Sequence, residues 1–226
     1  MMSATEPSDF IQRLQKIGCP LVLILNCPVQ DFDGSVVYLD NYQAGYIAAR
    51  HLIELGHKDI AYLSGATNPI VSNTRHNGIC SALNNYNLVS GNVVFPGNST
   101  LECGRKAAEQ YLACKDSLPS ALICYNDLMA IGFIDECRKN NIHVPEVVSV
   151  IGFDDISVAS LEGIALTTMR QPTVEMTKKA IDLLHQKIIN PFFSCERIIM
   201  DPTLVIRKTT IAPEQTAVFE PGLQTG

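Results

Sequence analysis

Long apolar runs, basic blocks and paired cysteines are all missing from this 226-residue chain, and each absence removes a class of function. No stretch approaches the roughly 20 consecutive apolar residues that a membrane-spanning helix needs. The opening MMSATEPSDF is polar and acidic, without the basic start and apolar centre of a secretory signal, so a cytoplasmic protein with no membrane partner is expected. Charged residues are only 18% of the chain, the formal net charge is −6, and no cluster of lysine or arginine offers a phosphate backbone a landing place. The eight cysteines, at 19, 27, 80, 103, 114, 124, 137 and 195, form no CxxC pair and have no close histidine. Neither a metal site nor a disulfide framework follows from that spacing. Cys19 and Cys124 sit in apolar segments, where a thiol behaves as a small buried hydrophobe. GxSxG, HExxH, GxGxxG and the phosphate-loop pattern are also missing, so the residues point away from an enzyme and imply no cofactor.

What is present is a generous core and a regular alternation. An apolar content of 46% can fill one large domain or two small α/β lobes. Strand-like LVLIL (21–25), SVVYL (35–39), IAYL (60–63), VVF (93–95), ALICY (121–125) and VVSVIGF (147–153) alternate with helix-like segments almost throughout, the pattern of βα units that build parallel sheets. Ser8 is placed to cap a helix ending near Gly18. Asp40 precedes a second helix whose stop is Gly56, and a third helix is expected over 72–86. Further helices are expected over 100–113, 126–140 and 173–189, then closing strands RIIM (197–200) and LVIR (204–207). From about Ile211 the composition turns linker-like.

The run VVSVIGFDD ends a both-faces-buried strand in two carboxylates, Asp154 and Asp155. In an open doubly wound sheet the ligand crevice lies just beyond the strand ends, although an Asx turn or helix cap is the commoner explanation of an isolated Asp-Asp pair. Arg75 offers a planar fork of donors suited to vicinal hydroxyls or a carboxylate, or is an ordinary surface arginine at a helix start. Asn126 can cap the helix that follows ALICY, and Asp127 favours that helix's dipole. His57 in LGHKDI reads as structural.

Six phrases then coincide: HLIELGHKDIAYLSG (51–65), RHNG (75–78), LICYNDLMAIG (122–132), VPEVVSVIGFDD (144–155), LTTMRQP (166–172) and LVIRKTT (204–210). Their content, order and spacing resemble the lactose-repressor/galactose-repressor family of bacterial transcription regulators over residues 20–210. The resemblance implies an α/β, periplasmic binding protein-like type I core, two Rossmann-like lobes with parallel sheets joined by three crossovers and closing on a small molecule. It further implies ligand contacts from Arg75 of the RxxG motif, Asn126 of the ND pair and Asp154 of the GFDD motif, with Asp155 shaping the turn. Asn26 stands where many relatives carry Asp, and Ser99 with Asn98 falls in a cleft-lining loop.

On this resemblance, residues 1–69 form a partial first lobe and 70–165 the second. A crossover strand and helix (166–190) belong with the first lobe, 191–210 close the second, and 211–226 is a flexible tail. The helix-turn-helix headpiece and the opening strands of the first lobe are expected to be lacking, which leaves LVLIL at an exposed sheet edge. DNA would then be met only through a headpiece outside this chain. The expected function is an effector-sensing domain of a transcriptional repressor, the effector a sugar or else a nucleoside or purine. A homodimer is the expected assembly, because the tail carries no leucine heptads. A periplasmic-type sugar-binding protein and a remnant without regulatory activity are the alternatives.

Overall fold

The structure is a computed structural model that describes residues 9–27, 32–65, 68–88, 94–113 and 118–213. Nine strands among them fall into two sheets. The smaller holds β1 (Val22–Leu25), β2 (Ser35–Leu39) and β8 (Arg197–Met200) in the order β1-β2-β8, all parallel. The larger runs β4-β3-β5-β6-β7-β9, built from β3 (Ile60–Leu63), β4 (Val94–Phe95), β5 (Ala121–Cys124), β6 (Ser149–Asp154), β7 (Thr167–Arg170) and β9 (Thr203–Val205). It is parallel except where β9 returns against β7.

Period-two alternation divides each interior strand between two cores. Ile60, Tyr62, Ala121, Ile123, Ile151 and Phe153 face helices α2 (Asn41–Leu55) and α3 (Pro69–Asn85). Ala61, Leu63, Leu122, Cys124, Val148 and Val150 face α4 (Leu101–Ala113) and α5 (Asp127–Lys139). Every residue of β3 and β5 is buried, which is why IAYL and ALIC read as continuous apolar runs. The small sheet repeats the scheme with thinner cover. Val37 packs under Met176, Ala180 and Leu183 of α6 (Thr173–Ile189), while Val36 on the other face meets Phe32 and Ile11 of α1 (Asp9–Lys16). β1 is the edge of this sheet and Ile24 is exposed on it.

The lobe boundaries differ from the sequence expectation in four places. Helix α2 and strand β3, expected in a first lobe ending at 69, belong to the larger sheet, where IAYL pairs between β4 and β5 and is covered by a helix pair on each face. β7 pairs with β6 in the larger sheet, so of the segment 166–190 only α6 rests on the smaller one. The closing pair is split, with β8 beside β2 and β9 beside β7. The tail does not begin at 211: the Ile211 N–H donates to Ser149 Oγ at 3.1 Å and its carbonyl accepts from the His57 ring. Residues 214–226 lie outside the described residues.

Caps set the helix ends that matter for the site. The Asp40 side chain accepts from Gln43 N–H at 2.8 Å, and Gly56 ends α2 with φ of 106°. Asn68 caps α3 through Val71 N–H, and Pro69 occupies its first turn, so the helix starts three residues before the expected Ser72. α2 and α3 then cross with almost no separation. A β-carbon on Gly45 would stand 2.1 Å from the Arg75 carbonyl oxygen, and one on Gly78 would stand 2.0 Å from that of Tyr42. The glycine of RHNG is therefore the contact that lets the arginine's helix lie against α2. Gly78→Ala should force the helices apart and lower stability by roughly 1–3 kcal/mol, read as a shifted urea midpoint; an unchanged midpoint would contradict this account of the crossing.

Candidate functional site

The C-terminal ends of β1, β2, β3, β5 and β6 all point at the seam between the sheets, and a buried arginine occupies that seam. Arg75, on the second turn of α3, is 2% exposed. Its Nε donates to Asn41 Oδ1 at 2.8 Å, and its Nη1 donates to the Tyr125 carbonyl. The guanidinium carbon lies 4.1 Å from the Phe153 ring centroid and 4.9 Å from that of Tyr125. Burial pushes the Arg75 pKa down, and the neighbouring Tyr62 and Asp154 oppose it, so the group remains a cation held among aromatic faces. Among the described residues Nη2 has no protein acceptor.

Asp154 closes β6 beside it. Burial raises its pKa, against the charge of Arg75 and a 2.5 Å hydrogen bond donated by Gln171 Nε2 to Oδ1. Its Oδ2 has no protein donor among the described residues. Asn126 caps α5, with Oδ1 accepting from Met129 N–H at 2.9 Å and Nδ2 donating to the Ser99 carbonyl at 3.0 Å. Asn126 thus combines its capping duty with a place beside the Tyr125 carbonyl that holds Arg75.

The chain direction at Asp154 is unusual and explains the paired aspartates. Asp154 has φ of 112° and Asp155 of 53°, both in the region that costs ordinary residues of order 1–3 kcal/mol and that aspartate tolerates better than most. The elbow is held from three sides. The Asp155 carboxylate takes hydrogen bonds from Arg170 Nε and Arg207 Nη2, each at 2.6 Å. Asp127 Oδ2 accepts from Ile156 N–H at 2.9 Å, and Gln171 holds Asp154. Asp155 does shape the turn, and it does so through two arginines rather than through a local Asx bond. Asp127 is more than a dipole partner: it is 1% exposed, accepts from Thr168 Oγ1 at 2.6 Å, and burial, the largest cause, pushes its pKa up to about 7.

Arg75 and Asp154 share a charge neighbourhood, and Asn126 follows the Tyr125 whose carbonyl accepts from Arg75. Asn26 is nearby, but its carbonyl does the bonding, accepting from Asn41 Nδ2. The residue lines a pocket of about 200 Å³ with Cys27, Leu39, Asn41, Ile70 and Val71. Ser99 reaches Asn126 by its carbonyl and has φ of 69°. Asn98 is exposed and turned back on Thr100, accepting from its hydroxyl at 2.7 Å. His57 lies away from the seam, bonded to Ser120, Ser149 and the Ile211 carbonyl. Asn41, Tyr125, Phe153 and Gln171 were not singled out from sequence. Three of them stood inside the quoted phrases, and Asn41 was hidden as the residue after a helix cap.

Desolvation is the largest influence on Asp155 and works upward, yet Arg207 and Arg170 together hold its carboxyl below the ordinary carboxylate value. A depressed folded pKa means that the stabilisation is complete above the unfolded value, near 4, and is lost as pH falls below it. Asp155→Asn should therefore cost roughly 1–3 kcal/mol at neutral pH, with the gap to the parent narrowing in urea titrations taken down toward about pH 3. A gap independent of pH would show that the ion pairs do not hold the elbow.

The profile of the periplasmic binding protein-like domain family matches residues 49–210. The chain is 35% identical over 168 residues to the HTH-type transcriptional repressor PurR of Photobacterium profundum, covering 74% of this chain and 50% of that one. It is 34% identical over 210 residues to the PurR repressor of Pasteurella multocida, covering 92% of this chain and 63% of that one. The chain thus spans between half and two thirds of these relatives. Among solved structures, a LacI family transcriptional regulator from Enterococcus faecium with bound ribose superposes with a TM-score of 0.82 at 26% identity, covering 92% of this chain and 77% of that one. The interlobe arginine, the capping asparagine and the carboxylate elbow stand on the fold these matches share, and the chain belongs to the periplasmic binding protein-like domain family, as an effector-binding core of the LacI type.

Proposed function

We propose that the chain is the small-molecule-sensing part of a transcriptional regulator and that it holds a neutral polyol, a sugar, at Arg75, Asp154 and Asn126. The observation that carries this reading is the presentation, in one neighbourhood, of a buried cation and a half-buried carboxylate, each with an atom that no described protein group occupies. An anion would be attracted by Arg75 and repelled by Asp154, and a cation the reverse. A vicinal diol suits both, since one hydroxyl accepts from Nη2 while its neighbour donates to Oδ2. Asn126 Nδ2 carries a second hydrogen beyond the one given to Ser99, for a further hydroxyl. The ribose bound by the structural relative supports a sugar. A nucleoside is the second reading, favoured by the aromatic faces of Tyr125 and Phe153, on which a base could stack.

Binding rather than catalysis is the chemistry of these groups. Asp155 is committed to two arginines and Asp127 to Thr168 and Ile156, so neither is poised as a partner for Asp154 in acid–base work. The matched relatives are named as repressors. A ligand that bridges the two lobes shifts the population of lobe orientations, and in a regulator that shift would be passed to a DNA-binding segment, with the chain paired as a homodimer. Among the described residues no helix is long and apolar enough to cross a membrane.

Calorimetry with D-ribose, D-galactose, D-glucose and adenosine tests the reading. One of the sugars should bind, and Arg75→Lys or Asp154→Asn should weaken it by roughly a hundredfold, the scale of one or two lost charge-assisted hydrogen bonds. A sugar bound equally well by both variants would overturn this assignment, and binding of adenosine alone would select the second reading.

A further inference from the structure

The chain passes between the sheets three times, at Leu39–Asn41, Arg170–Thr173 and Met200–Thr203. Both charged groups of the proposed site are hydrogen-bonded to a side chain in one of these passages: Arg75 to Asn41 in the first, Asp154 to Gln171 in the second. Asn41 goes further. Its orientation is forced, because an arginine only donates and Oδ1 must therefore face Arg75 Nε. Nδ2 is then left to face the small sheet, where it donates to the Asn26 carbonyl at the end of β1 and, at 3.4 Å, to the Leu39 carbonyl at the end of β2.

We infer that Asn41 is a positioning residue that reports occupancy of the Arg75–Asp154 pair to the first lobe, with Gln171 acting alongside it in the second crossover. The inference rests on the reading of that pair as the ligand site. A hydroxyl that engages Arg75 or Asp154 competes with, or realigns, the two crossover amides. Asn41 has no room to yield: it is 3% exposed, and its helix is locked to α3 by the Gly45 and Gly78 contacts. Any shift of the guanidinium therefore passes through one rigid amide to the strand ends of the other lobe. Asp40 N–H donates to the Met200 carbonyl at 2.9 Å, which ties the first passage to the third and spreads the displacement over the hinge. The remaining side-chain link across the seam among the described residues, Asn68 Nδ2 to Cys27 Sγ at 3.8 Å, is long and weak.

Asn41→Asp isolates the role. It keeps an acceptor for Arg75 and replaces the donor by a carboxylate oxygen facing two carbonyls; Asn41→Ser, too short to reach the Asn26 carbonyl, serves if the first variant does not fold. Hydrogen exchange on the full chain, with and without saturating D-ribose, should show the parent slowed on ligand addition at residues 71–79 and also at 22–27. In the Asn41 variant the protection at 71–79 should persist, while that at 22–27 falls by roughly fivefold or more, the lower end of usual coupling factors. Ligand-induced protection of 22–27 equal to the parent's overturns the inference. If D-ribose protects nothing in the parent, ribose is not the ligand, which counts against that sugar and not against Asn41. The inference is then judged on the free chain: the variant must speed exchange at 22–27 and 71–79 while β5 and β6 stay unchanged, and uniform acceleration or none at all overturns it.

Discussion

A guanidinium taken out of water is the constraint around which this molecule is arranged. Removing an unpaired charge from solvent costs several kcal/mol, so a buried arginine survives only where most of it is compensated. Here the aromatic rings of Phe153 and Tyr125 cover it, the Tyr125 carbonyl and Asn41 accept from it, and Asp154 balances its charge. Those partners come from the ends of β5 and β6 and from the first crossover. The strand order β3-β5-β6 is what brings them to one place, because the C-terminal ends of adjacent parallel strands open on the same side. A polar ligand entering such a site meets groups whose hydration has already been stripped away.

Rigidity around the arginine has a repeated source. The Gly45 and Gly78 crossing of α2 and α3 has a counterpart on the opposite face of the sheet, where a β-carbon on Gly104 or Gly132 would fall 2.0 Å from the Met129 or Leu101 carbonyl oxygen. Two helix pairs locked backbone to backbone clamp the larger sheet from both sides. The smaller sheet has one helix on each face, and its edge strand is partly exposed. Motion between the lobes is therefore confined to the three passages that join them, and the strained elbow at Asp154 and Asp155 is pinned to the second of these by Arg170 and Gln171.

Much of this was legible in the residues. All-apolar IAYL and ALIC announced interior parallel strands, Asp40 and Gly56 bounded a helix, and the GFDD carboxylates marked a strand end. What the sequence concealed was partnership. Lobe membership was misassigned for β3, β7 and β8 because adjacency along a chain says little about which sheet a strand joins when the chain crosses three times. Asn41 escaped notice because an asparagine following a capping aspartate looks like a redundant helix start, and its role depends on Arg75 arriving from 34 positions away. That Asp155 shapes a turn is legible in GFDD, but the partners through which it does so, Arg170 and Arg207, are 15 and 52 positions distant.

The last described segment completes the larger sheet. Thr209 Oγ1 donates to the Val150 carbonyl, Lys208 N–H to the Ala165 carbonyl, and the Ile211 carbonyl receives the His57 ring from 154 positions earlier. Contacts that span so much of the polypeptide are slow to form, since a long loop must close before they repay its entropy. On a ribosome, the strands of the second lobe would emerge and wait with a seam still open until residues 203–211 arrive to zip it. Only then would Arg207 reach Asp155 and fix the elbow beside the arginine.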